Sequence, residues 1–148
     1  MCTMSGSNIA CLFTEGQITL PEDYQDRTVN AFTASAANAP AFTLSRDTLA
    51  DGEALPAYID RQLTLMQKHI KGWKQTERGP AVLGDDLLKG ECVHANFLRD
   101  GKRTWQQQSV FTPDNHKVLV FTMTSMSAIS DADQAQFQAL LKSFRFNA

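Results

Sequence analysis

The stretch Arg103-Thr104-Trp105-Gln106-Gln107-Gln108-Ser109-Val110-Phe111 decides how this chain folds. It is a strand, because hairpin turns flank it and its ends are aromatic and β-branched. Three consecutive glutamines stand at its centre. Successive strand side chains alternate, so amides face both sides of the sheet. A buried amide is costly unless it finds a hydrogen-bond partner. Two settings provide one. At a polar sheet edge the amides meet water. On a concave apolar surface they hydrogen-bond the polar atoms of an incoming ligand while apolar neighbours supply burial.

Outward from this strand the elements follow in sequence. Asp100-Gly101 is a two-residue hairpin signal, since both residues tolerate positive φ. It joins the glutamine strand to a longer one over Leu87 to Leu98, which Gly84-Asp85-Asp86 introduces. Pro113-Asp114-Asn115 turns the chain into a strand over His116 to Thr124, where Val118 to Phe121 are apolar at consecutive positions, as in a strand covered on both faces. Upstream, Trp73 to Arg78 is a strand broken at Gly79-Pro80, with Ala81-Val82-Leu83 beyond. Pro56 suits the first turn of a helix running to about Lys71, with Gly72 as its C-terminal cap. Leu55, Ile59, Leu63, Met66 and Ile70 make its apolar stripe, and Gln62 borders it.

Earlier still, Ile9 to Phe13 is a short apolar run ended by Glu15-Gly16, and Leu20-Pro21 opens a turn. Asp26 to Thr33 alternates as a strand, Ala34 to Ala39 is a loop, and Phe42 to Ser45 alternates again. At the other end Ser130 caps a helix whose first turn carries Asp131 and Asp133; Phe137, Leu140, Leu141 and Phe144 give it a helical apolar face. The sum is α+β: an antiparallel meander of about six to eight strands with two main helices, one domain over residues 1–148.

Composition narrows the function. The 148 residues are 43% hydrophobic and 20% charged with a net charge of −2, which suits a packed domain and argues against a nucleic-acid or anionic-membrane footprint. Three cysteines, Cys2, Cys11 and Cys92, fit a reducing compartment better than a disulfide framework. Met1 to Ala10 has no basic region followed by an apolar run, and no segment approaches the roughly 20 apolar residues of a spanning helix, so a cytoplasmic protein is expected. Cys92-Val93-His94 is a two-ligand metal fragment without a second ligand pair, and no metal is expected. Ser45, Ser109 and Cys92 with His94 or His116 sit in no recognisable nucleophile context, so no catalytic residues and no cofactor are assigned.

The layout resembles the Eag-type chaperones of bacterial type VI secretion, relatives of the PsbP/Mog1-like fold. The resemblance is carried by Leu20 to Asp26, Leu44-Ser45-Arg46-Asp47, Tyr58 to Leu63, the glutamine strand with Val110-Phe111, and the closing Ser143-Phe144-Arg145-Phe146. It implies a homodimeric cytoplasmic chaperone that shields the N-terminal transmembrane helices of a cognate effector before export and aids its loading on the secretion spike. It implies Gln62, Ser45 and a glutamine among Gln106, Gln107 and Gln108 as polar contacts, with Ala41, Thr43 and Met66 as groove residues. Periplasmic lipoproteins of the same fold carry a signal and lipid anchor that is not expected here. The rival expectation is a small-molecule or lipid carrier using the same concave face.

Overall fold

Turn chemistry and alternation build one large sheet. The structure, a computed structural model, describes residues 2–5 and 8–147, with side chains from residue 10 onward. The strands are β1 (Cys2–Ser5), β2 (Asn8–Phe13), β3 (Gly16–Leu20), β4 (Asn30–Phe32), β5 (Ala41–Thr48), β6 (Lys74–Leu83), β7 (Leu88–Arg99), β8 (Lys102–Phe111) and β9 (Lys117–Ser125); the helices are α1 (Leu55–His69) and α2 (Asp131–Lys142). Among the described residues β1, β2 and β3 form one antiparallel sheet and the other six a second, in the order β4-β5-β9-β8-β7-β6. Asp100 (φ 51°) and Gly101 (φ 77°) both adopt the left-handed conformation that the β7–β8 hairpin requires.

Every pairing in the large sheet is antiparallel. β5 and β6 lie four such steps apart, so they run in the same direction. A parallel pair cannot be closed by a hairpin, and the link must return along the sheet over one face. α1 is that return. It packs Tyr58 and Ile59, with Leu55 and Leu63, on Val93, Val110, Val118 and Val120. α2 covers the opposite face, where Phe137 and Leu141 meet Leu83, Phe111, Phe121 and Met123, and where Phe137 stacks on Phe42 at 5.9 Å. Ser130 accepts from the Asp133 N–H and Asp133 Oδ2 accepts from the Ser130 N–H, a complete capping box.

Four sequence expectations need correction. Gly79-Pro80 does not break its strand: β6 is continuous from Lys74 to Leu83, because it is a sheet edge where a proline need not donate to the ladder. Its irregularity falls instead between Gln75 and Glu77. Only Asn30–Phe32 of the Asp26 to Thr33 stretch pairs as a strand; before it, the Thr28 hydroxyl bonds Asp26 and Arg46 Nη1 holds the Thr28 carbonyl at 3.0 Å. α1 ends at Ile70 in extended conformation, and Gly72 (φ 67°) serves the turn into β6. Finally, nine strands are described, one more than the range expected: β1 and β3 were not read as strands, while the two pieces on either side of Gly79-Pro80 are one.

Glycine at 90 is fixed by packing. A Cβ there would fall inside contact distance of the Val110 carbonyl oxygen and 2.6 Å from Phe111 Cδ1, whereas one at Gly79 meets nothing within 4 Å. Gly90→Ala should therefore cost on the order of 3 kcal/mol in denaturant unfolding. Gly79→Ala should stay within about 0.5 kcal/mol of the parent. Equal midpoints for the two variants would contradict this packing.

Candidate functional site

Register places the polar residues of the α1 face on successive rungs. Ser45 pairs with Val120, Val120 with Val110 and Val110 with Glu91. The next rung is Thr43, Thr122, Gln108 and Val93; the one after is Ala41, Thr124, Gln106 and Ala95. Five of the residues singled out from sequence, Ala41, Thr43, Ser45, Gln106 and Gln108, thus share one face over three consecutive rungs.

α1 and the first two rungs enclose a cleft of ≈ 220 Å³. Ile59, Leu63, Met66, Val93, Val110 and Val120 supply apolar wall, while Ser45, Gln62, Gln108 and Thr122 bring hydroxyls and amides to it. Arg27, Arg46, Asp47 and Tyr58 complete the lining. Met66 is half-buried against this space and belongs to neither core cluster, so it serves the cleft. Ala41, Thr43 and Gln106 are half-buried further along the same face, outside the cleft itself.

The amides are organised as a chain of donors. Gln108 Nε2 donates to Gln106 Oε1 at 2.8 Å, and Gln106 Nε2 reaches Thr124 Oγ1 at 3.4 Å. Part-burial raises the cost of leaving an amide unpaired, and this chain meets part of that demand from within the sheet. An amide has two donors and two acceptor lone pairs, so hydrogen-bonding capacity is left for an incoming group.

α1 is tied down on both sides of the cleft. The Tyr58 hydroxyl donates to Asp47 Oδ2 at 2.7 Å, linking helix to β5. Arg78 on β6 donates to Asp60 at 2.5 Å, to the Pro56 carbonyl at 3.3 Å and to Glu91 on β7 at 2.8 Å. Burial, then the hydrogen bond to Asp47 and its charge, push the Tyr58 hydroxyl pKa well above its ordinary value.

Gln107 is the exception among the residues singled out. Alternation turns it to the α2 face, between His94 and Met123 in register, where it is 4% exposed. Its Oε1 has no hydrogen-bond partner. Gln107 therefore does not join the cleft. Cys92, His94 and Ser109 share its face. Burial holds the Cys92 thiol protonated by raising its pKa, against a smaller lowering from Ser109, and His94 Nδ1 lies 3.2 Å from Glu77. His116 is exposed in the turn after β8, away from that group. Among the described residues no group of three or more His, Cys, Asp or Glu is placed to hold a metal, and no helix is long and apolar enough to cross a membrane.

Arg27, Arg46, Asp47, Tyr58 and Thr122 are cleft residues that sequence reasoning did not select. Tyr58 lay just off the apolar stripe, and Thr122 sat in the most strand-like segment of the chain, where a hydroxyl carries no positional signal.

The chain belongs to the DcrB family, whose model matches residues 15–143. No curated protein matches it. Among solved structures it is similar to PA94 of Pseudomonas aeruginosa, described as a protein of unknown function and candidate regulator. Identity is 23% and TM-score 0.66, over 97% of this chain and 100% of that one. It is also similar to the PsbP protein CyanoP of Synechocystis, at 10% identity and TM-score 0.55, over 88% and 86% of the two chains. At these identities the likeness is one of fold, and that fold is PsbP-like.

Two predictions follow the geometry. The raised Tyr58 pKa gives stability that is complete below the unfolded value of about 10 and is lost as pH climbs above it. Between about pH 10 and 11 the parent should lose up to roughly 1.4 kcal/mol more than Tyr58→Phe in urea unfolding. Parallel pH profiles would mean that burial and the Asp47 contact do not hold the Tyr58 hydroxyl protonated in the folded protein. Gln107→Leu, which removes an unpartnered buried oxygen at similar volume, should leave stability unchanged or raise it by about 1 kcal/mol. A clear loss would mean that the amide is engaged.

Proposed function

We propose that this DcrB-family chain is an Eag-type chaperone that binds apolar N-terminal helices of a secretion effector along the α1 face of its large sheet. The observation that carries this reading is the pairing of an apolar cleft with a contiguous amide and hydroxyl strip, Gln108, Gln106, Thr124, Thr122 and Thr43, on the same face. Helices that pack in membranes do so with small and polar groups as well as apolar ones. A surface that shields them from water has to satisfy those groups while burying the rest, at about 25 cal/mol per Å² of apolar area.

Dimensions bear on how such a helix lies. The cleft of ≈ 220 Å³ takes a few side chains but not a helix, which is about 10–12 Å across. The strip from β5 across β9 to β8 is about 10 Å wide, close to one helix diameter. In this reading the bound helix lies over the strip and sends side chains under α1, a helix-in-groove mode. Met66 is suited to the margin because its thioether adapts to irregular partners. Homodimerisation, a cytoplasmic setting, delivery to a secretion spike and the lack of any catalytic step or cofactor belong to the same proposal.

A small-molecule or lipid carrier is the competing use of this cleft, favoured by its enclosure beneath α1. Affinity-tagged protein recovered from its own cells in detergent-free buffer separates the two. The chaperone reading expects a stoichiometric partner with apolar N-terminal helices, lost when those helices are deleted and weakened about tenfold by Gln62→Leu or Gln108→Leu. A copurifying small ligand in native mass spectrometry, with no such partner, would decide for the carrier.

A further inference from the structure

Gln106 and Gln108 stand two residues apart on β8 and share the α1 face, but only Gln108 lines the cleft. Gln106 is one rung further from it, paired with Thr124 where Gln108 pairs with Thr122. The bonds between them have a sense. Gln108 Nε2 donates to Gln106 Oε1 at 2.8 Å, and Gln106 Nε2 donates onward to Thr124 Oγ1 at 3.4 Å. Gln106 therefore has a bond at each end of its amide. The nitrogen of Gln108 is drawn to the rung outside the cleft, which turns the oxygen of the same planar amide toward the cleft. That oxygen accepts nothing from the described residues, yet it is not sealed from solvent as Gln107 Oε1 is. The other polar groups of the lining are not fixed in this way. The Ser45 and Thr122 hydroxyls can donate or accept, and Gln62 makes no side-chain hydrogen bond among the described residues.

We propose that Gln106, backed by Thr124, is a positioning residue that holds the Gln108 carbonyl oxygen as a fixed acceptor in the cleft. The cleft then selects a hydrogen-bond donor, a serine or threonine hydroxyl, on the apolar helix it binds. This rests on the helix-binding reading of the groove and adds to it a chemical preference. A small hydroxyl residue lets helix and sheet approach closely while supplying the donor. An acceptor already held in place loses little rotamer freedom on binding. A helix that offers only a methyl there would desolvate the oxygen and leave it unpaired, and that penalty is what discriminates.

Three synthetic Leu/Ala helical peptides, carrying Ser, O-methylserine or Ala at the small positions of one face, test this with the purified full chain. The Ser peptide should bind about three- to tenfold tighter than the Ala peptide. O-methylserine keeps the acceptor and loses the donor, so it should bind no better than Ala. Gln106→Leu should abolish the Ser preference while Gln108 stays in place. Gln106→Glu should retain it, because a carboxylate still accepts from Gln108 Nε2; were Gln106 only a packing residue, the two exchanges would not separate in this way. Thr124→Val removes the far anchor without touching β8 and should narrow the preference, so the test does not depend on both exchanges at 106 folding. Equal Ser and Ala affinities in the parent, or O-methylserine matching Ser, overturn the fixed acceptor and leave the groove reading intact. A Ser preference that survives Gln106→Leu, or one lost in a folded Gln106→Glu, overturns the positioning role. Failure of all three peptides to bind the parent overturns the groove reading and this inference with it.

Discussion

The parallel relation of β5 and β6 is the constraint on which this molecule depends. Four antiparallel steps separate the two strands, so no hairpin can join them, and the connection has to travel back over one face. That requirement places α1 above the sheet, commits Val93, Val110 and Val118 to meet it, and gives the face a roof on one side only. The cleft is a consequence. Valines pack beneath Tyr58 and Ile59, but beside them the sheet offers Ser45 and Thr122, which fill less space and hold polar atoms.

The polar ties of α1 take their importance from this placement. Tyr58 reaches Asp47 on one side, while Arg78 on the other joins α1 to β6 and, through Glu91, to β7. Each such contact is modest in isolation, and the more exposed ones are worth a fraction of a kcal/mol. Their common effect is positional. They hold the first half of the helix between two edges of the face, while toward its end Gln62, Leu63 and Met66 border the cleft.

Much of this was legible in the sequence, and parity explains where legibility ended. Asp100-Gly101, the capping box at Ser130 and the apolar face of α2 are local signals, and local signals survive folding. The three glutamines were legible as amides on both faces of a strand, but which face becomes the cleft depends on the side α1 crosses. No short segment encodes that. Gln106 and Gln108 therefore reach the α1 face while Gln107 is buried on the other. Pro80 misled for a related reason: a proline breaks a central strand and is tolerated at an edge, and strand order is a property of the whole sheet.

The same parity separates the two kinds of polar burial in this sheet. On the α1 face, Gln108 and Gln106 bond each other and Thr124, so that each amide is partly satisfied and still has capacity for an incoming group. On the α2 face, Gln107 places an unpartnered oxygen in a setting filled by Met123 and the aromatic cluster around Phe121. An amide that serves a ligand has to be reachable, and one that serves only the sheet has to be paired; Gln107 Oε1 is neither. It is the local cost of a sequence in which the glutamines of the α1 face stand two apart and the position between them remains polar. A strand specified only for stability would alternate apolar residues there, as β9 does at Phe121 and Met123. That β8 does not is the departure from stability-only patterning on which the proposed binding role of this strand draws.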